Sequence, residues 1–175
     1  FYPSSYIGDL ADLRSVKALE ETTGRYANLL EVTPEIIACD LHPRYNSVTT
    51  AVELSEKIGK EQGKDPLPVI RVQHHYAHVL SCMAENDFSD PVIGVSMDGT
   101  GYGTDGTIWG GEILTADYHG FVRDASIKPF IQVGGDLSST DGWRIAVSML
   151  HSISKEEEEE SPLKDALALS SKLAL

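Results

Sequence analysis

The sequence predicts an α/β fold. Two apolar runs, within VTPEIIACDLHP (32–43) and LPVIRVQ (67–73), are each followed by a stretch with helical spacing of apolar residues. That alternation is the pattern of a parallel or mixed sheet with helices on its faces. After about residue 89 the pattern changes to three extended segments in succession, with a glycine-rich first turn, which reads as a β-meander. A third observation concerns QHHYAHVLSCMAEN: its helical pattern begins where the second apolar run ends. Two parts are expected, 1–88 with alternating helices and strands and 89–175 with the meander followed by helices.

The elements follow in order. Residues 1–8 (FYPSSYIG) read as a short strand or its exit. Asp9 is a plausible N-cap for a helix over roughly 10–30, with Leu10, Leu13, Val16, Leu19, Leu29 and Leu30 on one side. Ile36, Ile37 and Ala38 mark a buried strand that Pro43 ends. Residues 45–62 read as a helix that Ser47 and two threonines start, with Val52, Leu54 and Ile58 as apolar positions; Gly63 and Pro66 break the chain after it. LPVIRVQ is a second buried strand and 74–86 a helix. PVIGVSMDG reads as a strand, GTGYGTDG (99–106) as a turn, TIWGGEILTADY as an alternating strand and HGFVRDASIKPF as a third. Ser138 to Asp141 can cap a helix over 142–153. The acidic run Glu156 to Glu160 is expected in a solvated loop, and Ser161 and Pro162 suit the start of a last helix over 163–174. The connection 128–139 is the longest without an element before the acidic run, and long connections in compact domains are often functional.

Composition narrows the class. With 41% apolar residues the chain is ordinary for a globular protein, and no run approaches the ~20 apolar residues of a membrane helix. The N-terminus has no basic region leading into an apolar core, so no secretory signal is read there, and Phe1 suggests a start inside a longer product or after processing. A net charge of -13 argues against a nucleic-acid partner but not against a local anion site built from backbone N–H groups. Cys39 and Cys82 have no metal-pair spacing; two buried free thiols in a reducing, cytoplasmic setting are expected.

The residues that could do chemistry gather at strand ends. His74 and His78 are four apart, so on a helix both imidazoles leave one face about a turn apart, which suits one transition-metal ion. The other reading is a polar helix whose imidazoles bond to neighbours. His75 points to a different face and is not expected in the site. His74 lies where strand 67–73 ends, and ligands of open α/β sheets gather at the carboxyl ends of strands. A third ligand is required; Asp98, ending VIGVSM, is the candidate, with a simple turn residue as the alternative. Gly99, Gly101, Gly103 and Gly106, with Thr100, Thr104 and Asp105, could bring backbone N–H groups to an anion, or could serve only the turn. No Gly-Lys-Ser/Thr follows, so this is not a Walker loop, and a strand rather than a helix follows, so it is not a dinucleotide fingerprint. A phosphate hairpin between two strands is characteristic of the actin, hexokinase and heat-shock ATPase superfamily. Gly134, Gly135 and Asp136 before Trp143 and Arg144 form another loop, where Arg144 could hold an anion bidentately or serve as a structural partner. Asp40, His42 and Pro43 close a strand and could line the same cleft, or make a turn.

Taken together, YIGDL (6–10), CDLHPRYNS (39–47), VQHHYAH (72–78), MDGTGYGTDGTIWGGE (97–112) and GGDLSSTDGWR (134–144) resemble the C-terminal domain of the HypF hydrogenase-maturation carbamoyltransferases, collinearly from about residue 4 to 150. That domain is similar to those of the tRNA threonylcarbamoyl transferases and the antibiotic O-carbamoyltransferases. The resemblance implies a two-lobed actin-like (ASKHA, ribonuclease H-like) fold, present as the end of the first lobe (1–88) and the start of the second (89–175).

It also implies an activity. Such proteins consume carbamoyl phosphate and ATP, make carbamoyl-adenylate, and pass the carbamoyl group to the C-terminal cysteine of a HypE partner. The product becomes a cyanide ligand of nickel–iron hydrogenase. A metal, zinc or iron, sits between the lobes; His74, His78 and Asp98 match its ligands and stand as catalytic residues. The hairpin residues Gly99, Thr100, Gly101, Gly103, Asp105 and Gly106 would hold phosphate oxygens of ATP or the adenylate. No nucleic-acid or membrane partner is implied. Asp141-Gly142 stands where the family has Glu-Pro, and the family's N-terminal modules and later second-lobe segments have no counterpart, so the chain alone is expected to be inactive. Two other functions stay open: a related carbamoyl or threonylcarbamoyl transferase on the same fold, and a non-catalytic binding fragment.

Overall fold

The computed structural model describes residues 2–135 and 137–157. The chain is α/β and packs as two compact units, 1–126 and 127–175. Packing thus divides the chain after Ser126, whereas the element pattern changes near residue 89.

In the first unit, residues 2–9 form no strand. Helix α1 spans Leu13–Leu29, and its N-cap is Asp12, whose carboxylate accepts from the Arg14 N–H. Asp9 caps an earlier turn instead, accepting from Ala11 N at 2.8 Å, so the helix begins three residues later than the apolar spacing suggested. No residue of α1 is buried; Leu13 and Leu29 are exposed while Val16, Leu19 and Leu30 are half-buried, so its apolar stripe is only partly covered among the described residues.

Strand β1 (Ile37–Asp40), helix α2 (Asn46–Glu61) and strand β2 (Val69–Val72) form a βαβ unit with β1 parallel to β2, Ile37 opposite Val69 and Asp40 opposite Val72. The expectation that both strands are buried is corrected: neither holds a buried residue, and Ile36 and Ile70 are exposed. Among the described residues the sheet has two strands, which leaves many of their side chains without a covering layer. The buried face of α2 also differs. Val48, Ala51, Ser55 and Gly59 face inward while Val52 is exposed. These small residues let the helix lie close to the returning chain: Ser55 Oγ donates to Leu67 O at 2.6 Å, and a Cβ on Gly59 would lie 2.4 Å from Asp65 O.

Helix α3 (His74–Glu85) starts immediately after β2, and the Gln73 side chain caps it by accepting from Tyr76 N at 2.9 Å. His75, Val79 and Met83, four apart, are its buried face. They meet a three-stranded antiparallel sheet in the order β3–β4–β5, spanning Val92–Tyr102, Ile108–Asp117 and Gly120–Ser126. Val79, Met83, Trp109, Leu114 and Ala116 form the core between helix and sheet. On β3 the residues alternate, Gly94 and Ser96 inward and Ile93, Val95 and Met97 exposed.

The glycine-rich segment is less of a turn than the sequence suggested. β3 runs on to Tyr102, with an irregular register between Met97 and Gly101, and the turn itself covers only Gly103–Thr107, closed by Gly103 N to Thr107 O at 2.8 Å. Cys39 and Cys82 are both free, but Cys82 is exposed rather than buried.

In the second unit, Ser138 and Thr140 belong to a short helix, α4 (Leu137–Thr140), and their hydroxyls donate to Gly135 O and Leu137 O rather than capping the next helix. Helix α5 (Gly142–Glu157) follows and continues through Glu156 and Glu157, where a loop was expected. Ser148 Oγ donates to Ile131 O at 2.6 Å, tying α5 to the connection before it. The rest of the acidic run and the helix expected over 163–174 lie outside the described residues. Among the described residues no helix is long and apolar enough to cross a membrane.

Candidate metal centre

Asp98 reaches the helix. Its Oδ2 lies 2.6 Å from His74 Nε2 and 3.4 Å from His78 Nε2, and the two Nε2 atoms are 3.3 Å apart. One ligand atom from each of the three residues falls within 4.8 Å of the others, so the group could hold a metal ion. The chain path explains the convergence: α3 puts His74 and His78 on one face, and Asp98 ends the regular part of β3, which packs along the same helix.

The donor set fits such an ion. With metal–ligand bonds of ~2.0–2.1 Å, tetrahedral ligand atoms lie about 3.3 Å apart. Two of the three separations are 3.3 and 3.4 Å. The third, 2.6 Å, is a hydrogen bond, and would open by about 0.7 Å once a cation replaced the proton. His74 and Asp98 are part-buried and His78 exposed, which leaves one side open to a further ligand.

Electrostatics point the same way. Desolvation is the largest influence on His74 and would lower its pKa, but the hydrogen bonds and charges of Asp40 and Asp98 together outweigh it and raise the pKa above the ordinary histidine value. Asp98 moves oppositely. Desolvation, again the largest influence, would raise its pKa, yet His74, the Gly99 N–H and His78 combine to lower it.

His75 stays out of this cluster, as its spacing indicated. It is fully buried, its Nε2 lies 2.8 Å from Gly110 O, and its Nδ1 lies 3.2 Å from Gln73 Nε2. An amide nitrogen only donates, so Nδ1 accepts and Nε2 carries the proton. His75 thereby locks the start of α3 to strand β4. The Asp40 carboxylate was read as a turn residue or cleft lining; it accepts from His42 N at 2.7 Å and also lies 2.9 Å from His74 Nδ1. Its position at a strand's carboxyl end was the signal available in the sequence.

The glycine-rich residues divide into two sorts. A Cβ on Gly101 would lie 2.6 Å from His75 Cε1, and one on Gly103 would lie 2.1 Å from Trp109 Nε1, so both make room for the protein's own side chains. At Gly99 nothing lies within 4 Å of such a Cβ, and Gly106, at φ +78°, meets only the far end of Tyr102 at 3.8 Å. Thr100 is exposed beside Gly99. The Asp105 carboxylate accepts from Thr107 Oγ1 at 2.7 Å, Thr107 N at 3.0 Å and Trp109 Nε1 at 3.0 Å, and lies 3.4 Å from Arg123; these donors, Thr107 foremost, lower its pKa. Arg144 pairs with Asp141 at 3.0 Å and lies over the Trp143 ring, the structural arrangement.

Residues 1–85 match the family model "HypF Kae1-like domain", and residues 94–174 match "Carbamoyltransferase, Kae1-like Domain, second subdomain". The carbamoyltransferase HypF of Rhizobium leguminosarum bv. viciae is 40% identical over 147 residues, covering 84% of this chain and 18% of that protein. The probable carbamoyltransferase HypF of Methanocaldococcus jannaschii is 37% identical over 158 residues, covering 90% of this chain and 20% of that protein. A crystal structure of full-length HypF in a phosphate- and nucleotide-bound form superposes with a TM-score of 0.71 at 36% identity, over 94% of this chain and 21% of that one. The crystal structure of T. kodakarensis HypF gives 0.74 at 37% identity, over 88% of this chain and 19% of that one. The chain therefore spans between 18% and 20% of the length of these two curated relatives. It belongs to the HypF carbamoyltransferase family, as part of its Kae1-like domain.

Proposed function

We propose that this chain is the metal-holding part of an ATP-dependent carbamoyl-transfer domain. The observation that carries the reading is the meeting of His74, His78 and Asp98 within ligand distance of one another. Residues 1–88 are read as the end of the first lobe of an actin-like fold and 89–175 as the start of the second. His74 and His78 then belong to one lobe and Asp98 to the other. When bound, zinc or iron would supply Lewis acidity toward a carbamoyl or phosphate oxygen. His74, His78 and Asp98 would hold it.

The chain's other contribution is an anion cradle, and the glycines narrow where it can be. Gly99, Thr100 and Gly106 are open to a ligand, whereas Gly101 and Gly103 accommodate internal side chains and Asp105 is engaged with Thr107 and Trp109. The Gly106 N–H already donates to Gly103 O at 3.0 Å, so the N–H groups at Gly99, now turned to Asp98, and Thr100 would bind phosphate oxygens of ATP or carbamoyl-adenylate. The cysteine thiolate at the C-terminus of a HypE-like protein would then take the carbamoyl group from carbamoyl-adenylate in the cytoplasm, forming a C–S bond as the C–O bond to the phosphate breaks and AMP leaves.

The test places this chain into a full-length HypF relative in exchange for the matching segment, and measures carbamoyl transfer from carbamoyl phosphate and ATP to HypE. His74→Ala or His78→Ala is expected to lower transfer by more than about 100-fold, because even outer-shell changes at metal sites cost ~10–100-fold. Transfer at the unsubstituted rate in both variants would overturn the reading.

A further inference from the structure

We infer that Asp40 is a positioning residue of this site: its carboxylate holds the Nδ1–H of His74, so that Nε2 is the nitrogen presented to the cation. The inference rests on the metal reading above.

A neutral imidazole carries one proton, and the nitrogen without it is the one able to coordinate. Which nitrogen that is depends on the hydrogen bond the other one makes. His74 has two carboxylates in reach, Asp98 at Nε2 and Asp40 at Nδ1. Asp98 is itself a candidate ligand, so it cannot also keep a proton between itself and the ring once a cation sits there. Asp40 is on the far side of the ring from that position, and a carboxylate only accepts. The proton retained by His74 therefore belongs on Nδ1, in the carboxylate–histidine arrangement found behind metal ligands.

The fold prepares Asp40 for this. It is the last residue of β1, opposite Val72, and Val72 is followed by the helix cap Gln73 and then His74. The parallel register thus brings together two residues that are far apart in sequence. One carboxylate oxygen of Asp40 is fixed by the His42 N–H at 2.7 Å, which leaves Oδ2 aimed at the ring at 2.9 Å. The Asp40 side chain is only 18% exposed, so water competes weakly for it. His78 differs: it is more exposed, and among the described residues no carboxylate meets its Nδ1.

The test adds zinc alone to the chain and follows binding by competition titration, with ring-15N NMR of the zinc-loaded form. In the unsubstituted chain His74 is expected to coordinate through Nε2 and to keep a proton on Nδ1. Asp40→Ala should weaken zinc about 10–100-fold, and Asp40→Asn less, because the amide oxygen can still accept from Nδ1–H. Asp40→Asn is the same size, so it keeps the test decisive if Asp40→Ala fails to fold: native circular dichroism with weakened zinc supports the inference, and undiminished affinity overturns it. Zinc bound through Nδ1 of His74 in the unsubstituted chain also overturns it. Failure of that chain to bind zinc at all removes the metal reading and this inference together, whereas tight binding unaffected by Asp40→Ala removes only the inference.

Discussion

The cluster around His74 and the cluster around Arg123 both involve the β3–β4–β5 sheet, and they treat charge in different ways. Arg123 Nε donates to Glu112 Oε2 at 2.6 Å, its NH1 reaches Asp105 at 3.4 Å, and its guanidinium lies 4.1 Å from the Trp109 ring centroid. Glu112 is 1% exposed, and its other oxygen accepts from Gly110 N. Each strong group there has a fixed partner of opposite character. At His74 and Asp98 the contacts instead set three ligand atoms against one another, part-exposed, with a proton in the place a cation would occupy. A closed network of this kind stabilises a hairpin. An arrangement whose central proton can be exchanged suits a binding site.

Four measurements would break or sharpen that contrast. The largest effect is expected for Arg123→Met, which leaves Glu112 buried with little besides the Gly110 N–H. Removing one partner of a buried pair costs ~3–5 kcal/mol, and because Arg123 is partly exposed a value of about 3 kcal/mol is expected. Urea denaturation reads it, and a loss below about 1 kcal/mol would mean that the network is not a closed structural unit.

Gly103→Ala comes next. The added methyl would collide with the Trp109 ring, which also lies against Arg123, so a destabilisation of about 1–3 kcal/mol is expected from overpacking. Thermal unfolding measures it; an unchanged midpoint would show that the turn can shift freely.

The third measurement is the pH dependence of zinc binding. The raised pKa of His74 means that its contribution to the metal-free fold is complete below the ordinary histidine value and is lost as pH rises through the raised one. The lowered pKa of Asp98 means that its contribution is present above the ordinary carboxylate value and is lost as pH falls through the lowered one. Between those limits zinc must displace a proton. Its affinity should therefore rise about tenfold per pH unit until His74 has lost its proton on its own, and then level off. A pH-independent affinity through that range would show that zinc binding displaces no proton from His74.

Gly99→Ala is expected to have the smallest effect on stability, within about 0.5 kcal/mol, because nothing lies near the added methyl. If nucleotide handling by the full-length chimera falls while stability does not, the open part of the hairpin is the anion cradle. Unchanged handling would confine the cradle to other residues.

The helices were legible because their signals are local. The apolar spacing of 45–62 and 74–86 and the stop at Gly63 come close to α2 and α3. The start of α1 was not, because Asp9 and Asp12 carry the same capping chemistry and only the folded backbone selects between them. The burial of β1 and β2 was overstated, since an apolar run does not reveal how many layers cover it. In the site, HxxxH and the Asp at the end of VIGVSM were readable. That Gly101 faces His75 and Gly103 faces Trp109 was not, because a glycine that admits a ligand and one that admits a neighbouring side chain have the same spacing.

Sequence alone determined the class of this protein, its family resemblance and the residue types of its candidate site. Helical periodicity put two imidazoles on one face, and a strand end put a carboxylate at the start of a glycine-rich segment. Tertiary structure decided the distances between them and, through the parallel register of β1 with β2, set the Asp40 carboxylate, which the sequence left as cleft lining or turn, 2.9 Å from His74 Nδ1. The reason is that helix spacing repeats within a turn, whereas the approach of a strand to a helix depends on packing between residues far apart in the chain.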